Sequence, residues 1–277
     1  MNDHRTHYVT TTDGVTLGAT VHGQGPPLVF LQGVVGDGDL DWQCVLPYLT
    51  DSYTCHLLSM RGRGLSGDHP DLSIPRLVED VVTYAESVGE PTGLVGWSLG
   101  ANLAIMAASQ SDAMHAIAPF EPPMMCLMDE QEYAVMAGAV EAMGEQAAAG
   151  DLTAAVRAFL VWPFTDDEIA AADRAGYTTA AGRYVPGILD FFQQATGPDA
   201  PETDEAATLA AVDVPMLALK GSDTRAFLAG SVQYVADHAP DAQVHTIPGG
   251  AHAAQMTHPE TFAQALTGFF SQAHQPA

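Results

Sequence analysis

The sequence predicts an α/β fold: a mostly parallel, doubly covered sheet with a helical cap inserted after the sixth strand. Three observations carry this. Short apolar runs alternate with helix-like segments along most of the 277 residues, the pattern of strands joined by crossover helices. Between Glu121 and Asp204 the alternation stops, and helix-like runs follow one another without a convincing strand. Finally, Gly96-Trp97-Ser98-Leu99-Gly100 joins an apolar run ending at Val95 to a helix-like run starting at Ala101, so that a serine stands at the apex of a tight turn. The expected organisation is a core of residues 1–120 and 205–277, with residues 121–204 forming the cap.

In chain order, residues 15–21, 27–31, 54–59, 93–95, 115–120, 215–219 and 244–247 read as strands. Several are continuously apolar, which suits strands covered on both faces. Residues 43–49, 74–88, 98–109, 229–238 and 259–272 read as the intervening helices. Pro259 and Glu260 suit a first helical turn, one through its fixed φ and the other through its charge. Within the insertion, helices are expected over 130–149, 152–160, 166–175 and 186–194, and the proline-bearing segment 197–202 reads as a linker back to the sheet.

Composition narrows the function. A chain with 47% hydrophobic residues can bury one large core and carry a smaller cap. Residues 1–12 lack the apolar core of a signal peptide, and no apolar run approaches membrane-spanning length, so a soluble protein is expected. Cys44, Cys55 and Cys126 are too few and too irregular for a disulfide framework, which points to a reducing cytoplasm. The formal charge of -25, from 34 acidic against nine basic residues, repels phosphate backbones and anionic bilayers. Nucleic acid and membrane are therefore not expected partners.

Two competing motifs fail on context. Gly62-Arg63-Gly64-Leu65-Ser66-Gly67 matches a dinucleotide fingerprint, but His69-Pro70-Asp71 follows where a helix must begin. Asp37, Asp39 and Asp41 have calcium-loop spacing, yet Trp42 and Tyr48 stand where such a loop needs glycine and glutamate. A solvated acidic loop is expected there. No histidine or cysteine cluster has zinc spacing, and neither metal nor cofactor is implied.

The chemistry centres on Ser98. Strand, tight turn and helix around G-x-S-x-G make a nucleophile elbow, with glycines where side chains would crowd the crossing of strand and helix. A serine hydroxyl needs a neighbouring base. His252 has the best context for that, on the flexible loop Pro248-Gly249-Gly250-Ala251-His252 after a strand. A carboxylate must then orient the base. Asp223, in the turn after residues 215–219, gives the chain order serine, acid, histidine, with Glu121 as its main rival. The oxyanion hole is assigned to the backbone amides of Leu99 and of Val34, the latter in the loop after residues 27–31.

These features together resemble the α/β-hydrolase superfamily, in its branch with a serine nucleophile and a helical cap. The resemblance covers nearly the whole chain outside the cap: Gln32-Gly33 where relatives show His-Gly, Trp42, the run Arg61 to Ser66, Gly96 to Gly100, Gly221-Ser222-Asp223, and Gly250-Ala251-His252. Serine at the elbow argues against the branches that use aspartate there. In the insertion, Met124, Met125, Met128, Met136 and Met143 stand with Phe159, Trp162, Phe164, Tyr177, Tyr184, Phe191 and Phe192, and some of these are expected to line an apolar, adaptable pocket. The expected activity is that of a serine hydrolase cleaving a small, moderately hydrophobic carboxylic ester through an acyl-enzyme. The same triad also serves carbon-carbon bond and lactone hydrolysis, and the same fold serves small-molecule receptors and non-hydrolytic biosynthetic proteins.

Overall fold

The computed structural model describes residues 5–196 and 205–273. Its eight strands are β1 (Arg5–Thr10), β2 (Thr16–Gly23), β3 (Pro27–Leu31), β4 (Thr54–Leu58), β5 (Thr92–Trp97), β6 (Met114–Phe120), β7 (Met216–Gly221) and β8 (Ala242–Ile247). They form one sheet in the order β1-β2-β4-β3-β5-β6-β7-β8. β1 and β2 pair antiparallel with each other, as do β2 and β4, and every pairing from β4 to β8 is parallel. The helices are α1 (Gly38–Trp42), α2 (Ile74–Ser87), α3 (Leu99–Ala108), α4 (Glu130–Ala148), α5 (Leu152–Leu160), α6 (Asp166–Arg174), α7 (Tyr177–Ala181), α8 (Val185–Thr196), α9 (Glu205–Ala210), α10 (Ala226–His238), α11 (Ala254–Thr257) and α12 (Pro259–Ala273).

Every residue of β3 and β5 is buried, because α2 and α3 pack on one side and α12 on the other, as their continuous hydrophobicity requires. Register aligns Leu31 with Gly96, Trp97 with Phe120, Phe120 with Leu219, and Gly221 with Ile247. The carboxyl ends of β3, β5, β6, β7 and β8 therefore share one rim, where an open parallel sheet forms its ligand crevice.

The expected strands all form, mostly one or two residues longer. β1 was not expected: it is a polar edge strand, lacking the apolar run that marks its neighbours. The helix expected over 43–49 is replaced by α1 and a 3₁₀ turn at Leu46–Tyr48. Pro47 cannot donate within a regular helix, and the Asp37 carboxylate starts α1 earlier by accepting from the Leu40 amide at 2.8 Å. The short helices α7, α9 and α11 also went unforeseen. Between β6 and β7 the described residues hold helices α4 to α9 and no strand. The expected linker 197–202 lies outside the described residues.

Candidate active site

β5 ends at Trp97 and α3 begins at Leu99, leaving Ser98 alone between them at φ 54° and ψ -116°. A non-glycine residue keeps such a conformation only when its surroundings over-determine it. Here the Ser98 amide donates to the Phe120 carbonyl at 2.9 Å. The flanking glycines are steric requirements: a Cβ at Gly96 would lie 2.2 Å from the Gly100 carbonyl oxygen, and one at Gly100 would lie 2.4 Å from that of Leu31. β5, the Ser98 turn and the loop after β3 thus meet at backbone contact.

His252 reaches the same place from the loop after β8. Its ring is buried against Trp97 (centroids 5.5 Å apart), Phe120 (6.3 Å, stacked) and Phe164 (6.1 Å), and its carbonyl accepts from Trp97 Nε1 at 2.7 Å. Trp97 and Phe120 therefore hold both Ser98 and His252, one through the backbone and the other through their rings.

The carboxylate that meets His252 in the structure is that of Glu121, and Asp223 lies apart from it. His252 Nδ1 lies 2.7 Å from Oε2 of Glu121, which is fully buried. Asp223 is exposed; its Oδ1 accepts from Ser222 Oγ at 2.7 Å, and its amide donates to the Gly250 carbonyl at 2.9 Å. The turn after β7 is stitched to the loop after β8, with the Ser222 amide on the Ile247 carbonyl and the Gly249 amide on Ser222 Oγ, which leaves the Asp223 side chain facing solvent. Glu121, at φ 46°, turns back from the end of β6 and also accepts from the Gly221 amide (2.8 Å) and Thr224 Oγ1 (2.9 Å). Glu121, the first residue of the span expected to form the cap, thus lies on the sheet rim.

Val34 and Leu99 line one cavity with Ser98. Among the described residues, neither amide donates to a protein acceptor. The loop carrying Val34 is held from behind. Arg63 donates to the carbonyls of Val34 (3.1 Å), Val35 (3.0 Å) and Gly36 (3.0 Å), and Asp41 Oδ2 accepts from the Gly33 amide at 2.8 Å. Burial lowers the Arg63 guanidinium to about 10, so it remains a cation at neutral pH. Gln32, in the place of the usual histidine, bridges the Gly36 carbonyl (2.5 Å) and the Met60 amide (3.0 Å). Asp37 and Asp41 are buried, which corrects the expectation of a solvated acidic loop. Asp37 takes Tyr184 Oη at 2.5 Å and Arg183 at 3.1 Å, while Asp41 takes Tyr177 Oη at 2.9 Å, fastening the inserted helices to the loop after β3.

A third carboxylate comes from the insertion. Glu168 on α6 is buried, and its Oε1 accepts from the Ala253 amide at 2.6 Å. Thr165 and Glu168 carry the T-x-x-E spacing of a capping box, a signal legible in the sequence but silent about Ala253.

The cavity at Ser98 measures about 190 Å³ and is walled by Met124, Met125, Met136, Phe159, Trp162, Phe191 and Phe192 from the insertion. Met128, Met143, Phe164, Tyr177 and Tyr184 do not line it. A second, more polar cavity of about 470 Å³ meets the first at Val34 and Phe191, with Arg63, Arg183 and Asp190 in its wall. No group of residues with metal-holding geometry, and no helix long and apolar enough to cross a membrane, occurs among the described residues.

A sequence profile described as alpha/beta hydrolase fold matches residues 26–259. A curated relative, the pimeloyl-[acyl-carrier protein] methyl ester esterase of Aeromonas hydrophila, is 29% identical over 252 residues, covering 89% of this chain and 96% of its own. Among solved structures, a thermophilic esterase from Thermogutta terrifontis superposes with a TM-score of 0.77 at 18% identity, covering 98% of this chain and all of the other. A bromoperoxidase from Bacillus anthracis gives 0.76 at 18% identity, covering 96% of this chain and all of its own. At such identities the two structures bear on the fold alone.

Proposed function

The chain belongs to the alpha/beta hydrolase fold family, and from that premise we propose that Ser98, His252 and Glu121 form a catalytic triad served by the amides of Val34 and Leu99. The activity is hydrolytic and of the carboxylesterase type; the substrate we propose is a small, moderately hydrophobic ester. The observation carrying this is the His252 Nδ1 contact with buried Glu121, beside an elbow serine whose amide is pinned to Phe120.

In this reading the Glu121 carboxylate keeps the ring proton on Nδ1, so that Nε2 is free to take the proton of Ser98 Oγ as it attacks the ester carbonyl. The developing oxyanion is met by the two free amides, reinforced at Leu99 by the N-terminus of α3. Protonated His252 returns its proton to the leaving alcohol, and water repeats the sequence to release the acid. Helices α4 to α8 act as a cap whose methionines and aromatics form the apolar side of the site, over a core of residues 1–120 and 205–277 joined by Glu121. The Aeromonas relative is named for an ester on an acyl-carrier protein. Here α4 exposes Glu130, Glu141 and Glu145 on one side and carries no basic residue, a face unsuited to an anionic macromolecule, which favours a free ester. Three free cysteines fit a reducing, cytoplasmic setting.

The test is hydrolysis of nitrophenyl esters of increasing acyl length by the wild type and Ser98→Ala. Loss of at least about a thousandfold in kcat/KM is expected of the variant. Wild-type turnover that survives the substitution overturns the proposal.

A further inference from the structure

Glu168 is a buried carboxylate beside the proposed base to which the reaction above gives no part. Its capping box is complete without reference to His252: the Glu168 amide donates to Thr165 Oγ1 at 3.2 Å, and Oε2 accepts from the Thr165 amide at 3.0 Å. Oε1 does something the box does not need. It crosses from the insertion to the core and accepts from the Ala253 amide at 2.6 Å, the peptide directly after the histidine. Burial pushes the Glu168 carboxyl up, and the Thr165 and Ala253 amides pull it down. The titratable groups acting on it are His252, which favours the ionised form, and Glu121, which opposes it. All its partners are donors, the set an ionised carboxylate takes.

We propose that Glu168 is a positioning residue for His252: helix α6 of the cap supplies a second carboxylate that fixes the His252–Ala253 backbone and stabilises the imidazolium formed when Ser98 attacks. The inference rests on the serine-hydrolase reading. The two carboxylates divide the work. Glu121 bonds the ring and sets its tautomer, whereas Glu168 acts through the Ala253 amide and through space. Full activation of Ser98 then requires α6 to be seated, so cap position and base strength are coupled in one contact.

The experiment compares Glu168→Gln and Glu168→Ala with wild type by the rate at which a fluorophosphonate probe labels Ser98 across pH, alongside ester kinetics. Glutamine can keep an oxygen on the Ala253 amide, while its NH₂ replaces the oxygen that accepts from the Thr165 amide, so this variant removes the charge and one capping-box bond but leaves the bond to Ala253 in place. Without the nearby anion the imidazole protonates less readily. The acid limb of the labelling profile is expected to move about one unit to lower pH, with the plateau rate reduced about tenfold and KM for a short ester unchanged. Alanine is expected to lose the Ala253 bond as well and to fall further. A Glu168→Gln profile that superimposes on wild type, with alanine lowering only the thermal midpoint, makes Glu168 a structural fastening and overturns the proposal. Failure of the underlying reading looks different. A wild type whose Ser98 is not labelled at all overturns the serine mechanism and this inference with it, while labelling without ester turnover overturns only the ester, and the profile still decides the role of Glu168.

Discussion

Replacing Glu121 by glutamine tests the assignment of the acid, and the structure sets the expected size of the effect. Oε1 accepts from the Gly221 amide at 2.8 Å, while Oε2 accepts from His252 Nδ1 and Thr224 Oγ1 at 2.7 and 2.9 Å. Glutamine offers one acceptor and one donor in their place. If its NH₂ faces Gly221, two donors confront each other at a fixed backbone position, stranding a buried group at a cost of about 1–3 kcal/mol. If the NH₂ faces His252 instead, the Thr224 hydroxyl can rotate to accept, and every group is satisfied once Nδ1 becomes an acceptor. The second arrangement is therefore favoured, and it places the ring proton on Nε2, where it blocks transfer from Ser98. A tautomer error of this kind costs about 10⁴ in kcat, or about 5.5 kcal/mol of barrier. Asp223→Asn, at an exposed side chain bonded among the described residues only to its neighbour Ser222, is expected to stay within about threefold of wild type. The assay is kcat and KM on one nitrophenyl ester for both variants, with circular dichroism confirming the fold. If Glu121→Gln retains more than a tenth of the activity, or Asp223→Asn loses more than a hundredfold, the acid has been misassigned.

Other expectations bear on stability. His56 is buried with Nδ1 3.0 Å from Tyr84 Oη, and burial, helped by His7 and Arg5, lowers it from 6.5 to about 4. The unfolded chain therefore binds the extra proton first on acidification, so this contribution is complete above pH 6.5 and is lost as pH falls toward 4, about 3 kcal/mol in all. His56→Gln should flatten the fall in urea midpoint between pH 7 and 4.5, and an unchanged slope would mean that the ring is charged in the fold. Gly100→Ala places a Cβ 2.4 Å from the Leu31 carbonyl oxygen and 2.5 Å from that of Gln32, and is expected to cost about 2–3 kcal/mol of stability along with most of the activity. Gly138→Ala, with open space around the added carbon in α4, should instead raise the stability by about 0.5–1 kcal/mol. Equal behaviour of the two glycines in thermal unfolding would refute the steric account of the elbow.

What was legible in the sequence follows what local pattern can encode. The apolar runs that became β3, β5 and β6 announce themselves because both faces are buried, and the elbow announces itself because only glycine permits the backbone contacts on either side of Ser98. The proposed acid is not local in this sense. Asp223 stands in the expected chain order, and nothing in the residues near it says that its side chain will point outward. Glu121 left one trace, a lone charge closing a continuously apolar strand, and its fit depends on Phe120 aligning with Leu219 across β6 and β7. The same holds for Glu168, whose capping box is written in four consecutive residues while its bond to Ala253 spans 85. Asp37 and Asp41 read as solvated because a sequence cannot show Tyr177 and Tyr184 descending on them from the insertion.

Placing the proposed acid at the end of β6 changes what the site depends on. The dipeptide Phe120-Glu121 performs three tasks: the Phe120 carbonyl accepts the Ser98 amide, its ring stacks on His252, and the next residue's carboxylate meets Nδ1. The proposed nucleophile, base and acid are thereby referred to one strand end, whose position relative to β5 is set by the pairing of Trp97 with Phe120. With Asp223 as the acid, alignment would instead pass through β7 and a solvent-facing turn, adding an exposed segment to the chain of contacts. The turn after β7 retains only two functions toward the proposed triad, the Gly221 amide and the Thr224 hydroxyl that hold Glu121. Both Ser98 and Glu121 occupy positive φ, each a strain of about 1–3 kcal/mol that the surrounding hydrogen bonds must offset. That strain is concentrated where β5 and β6 deliver their two functional residues, so the rigidity of the paired strands, rather than of any loop, is what keeps the proposed serine and carboxylate in register with the histidine between them.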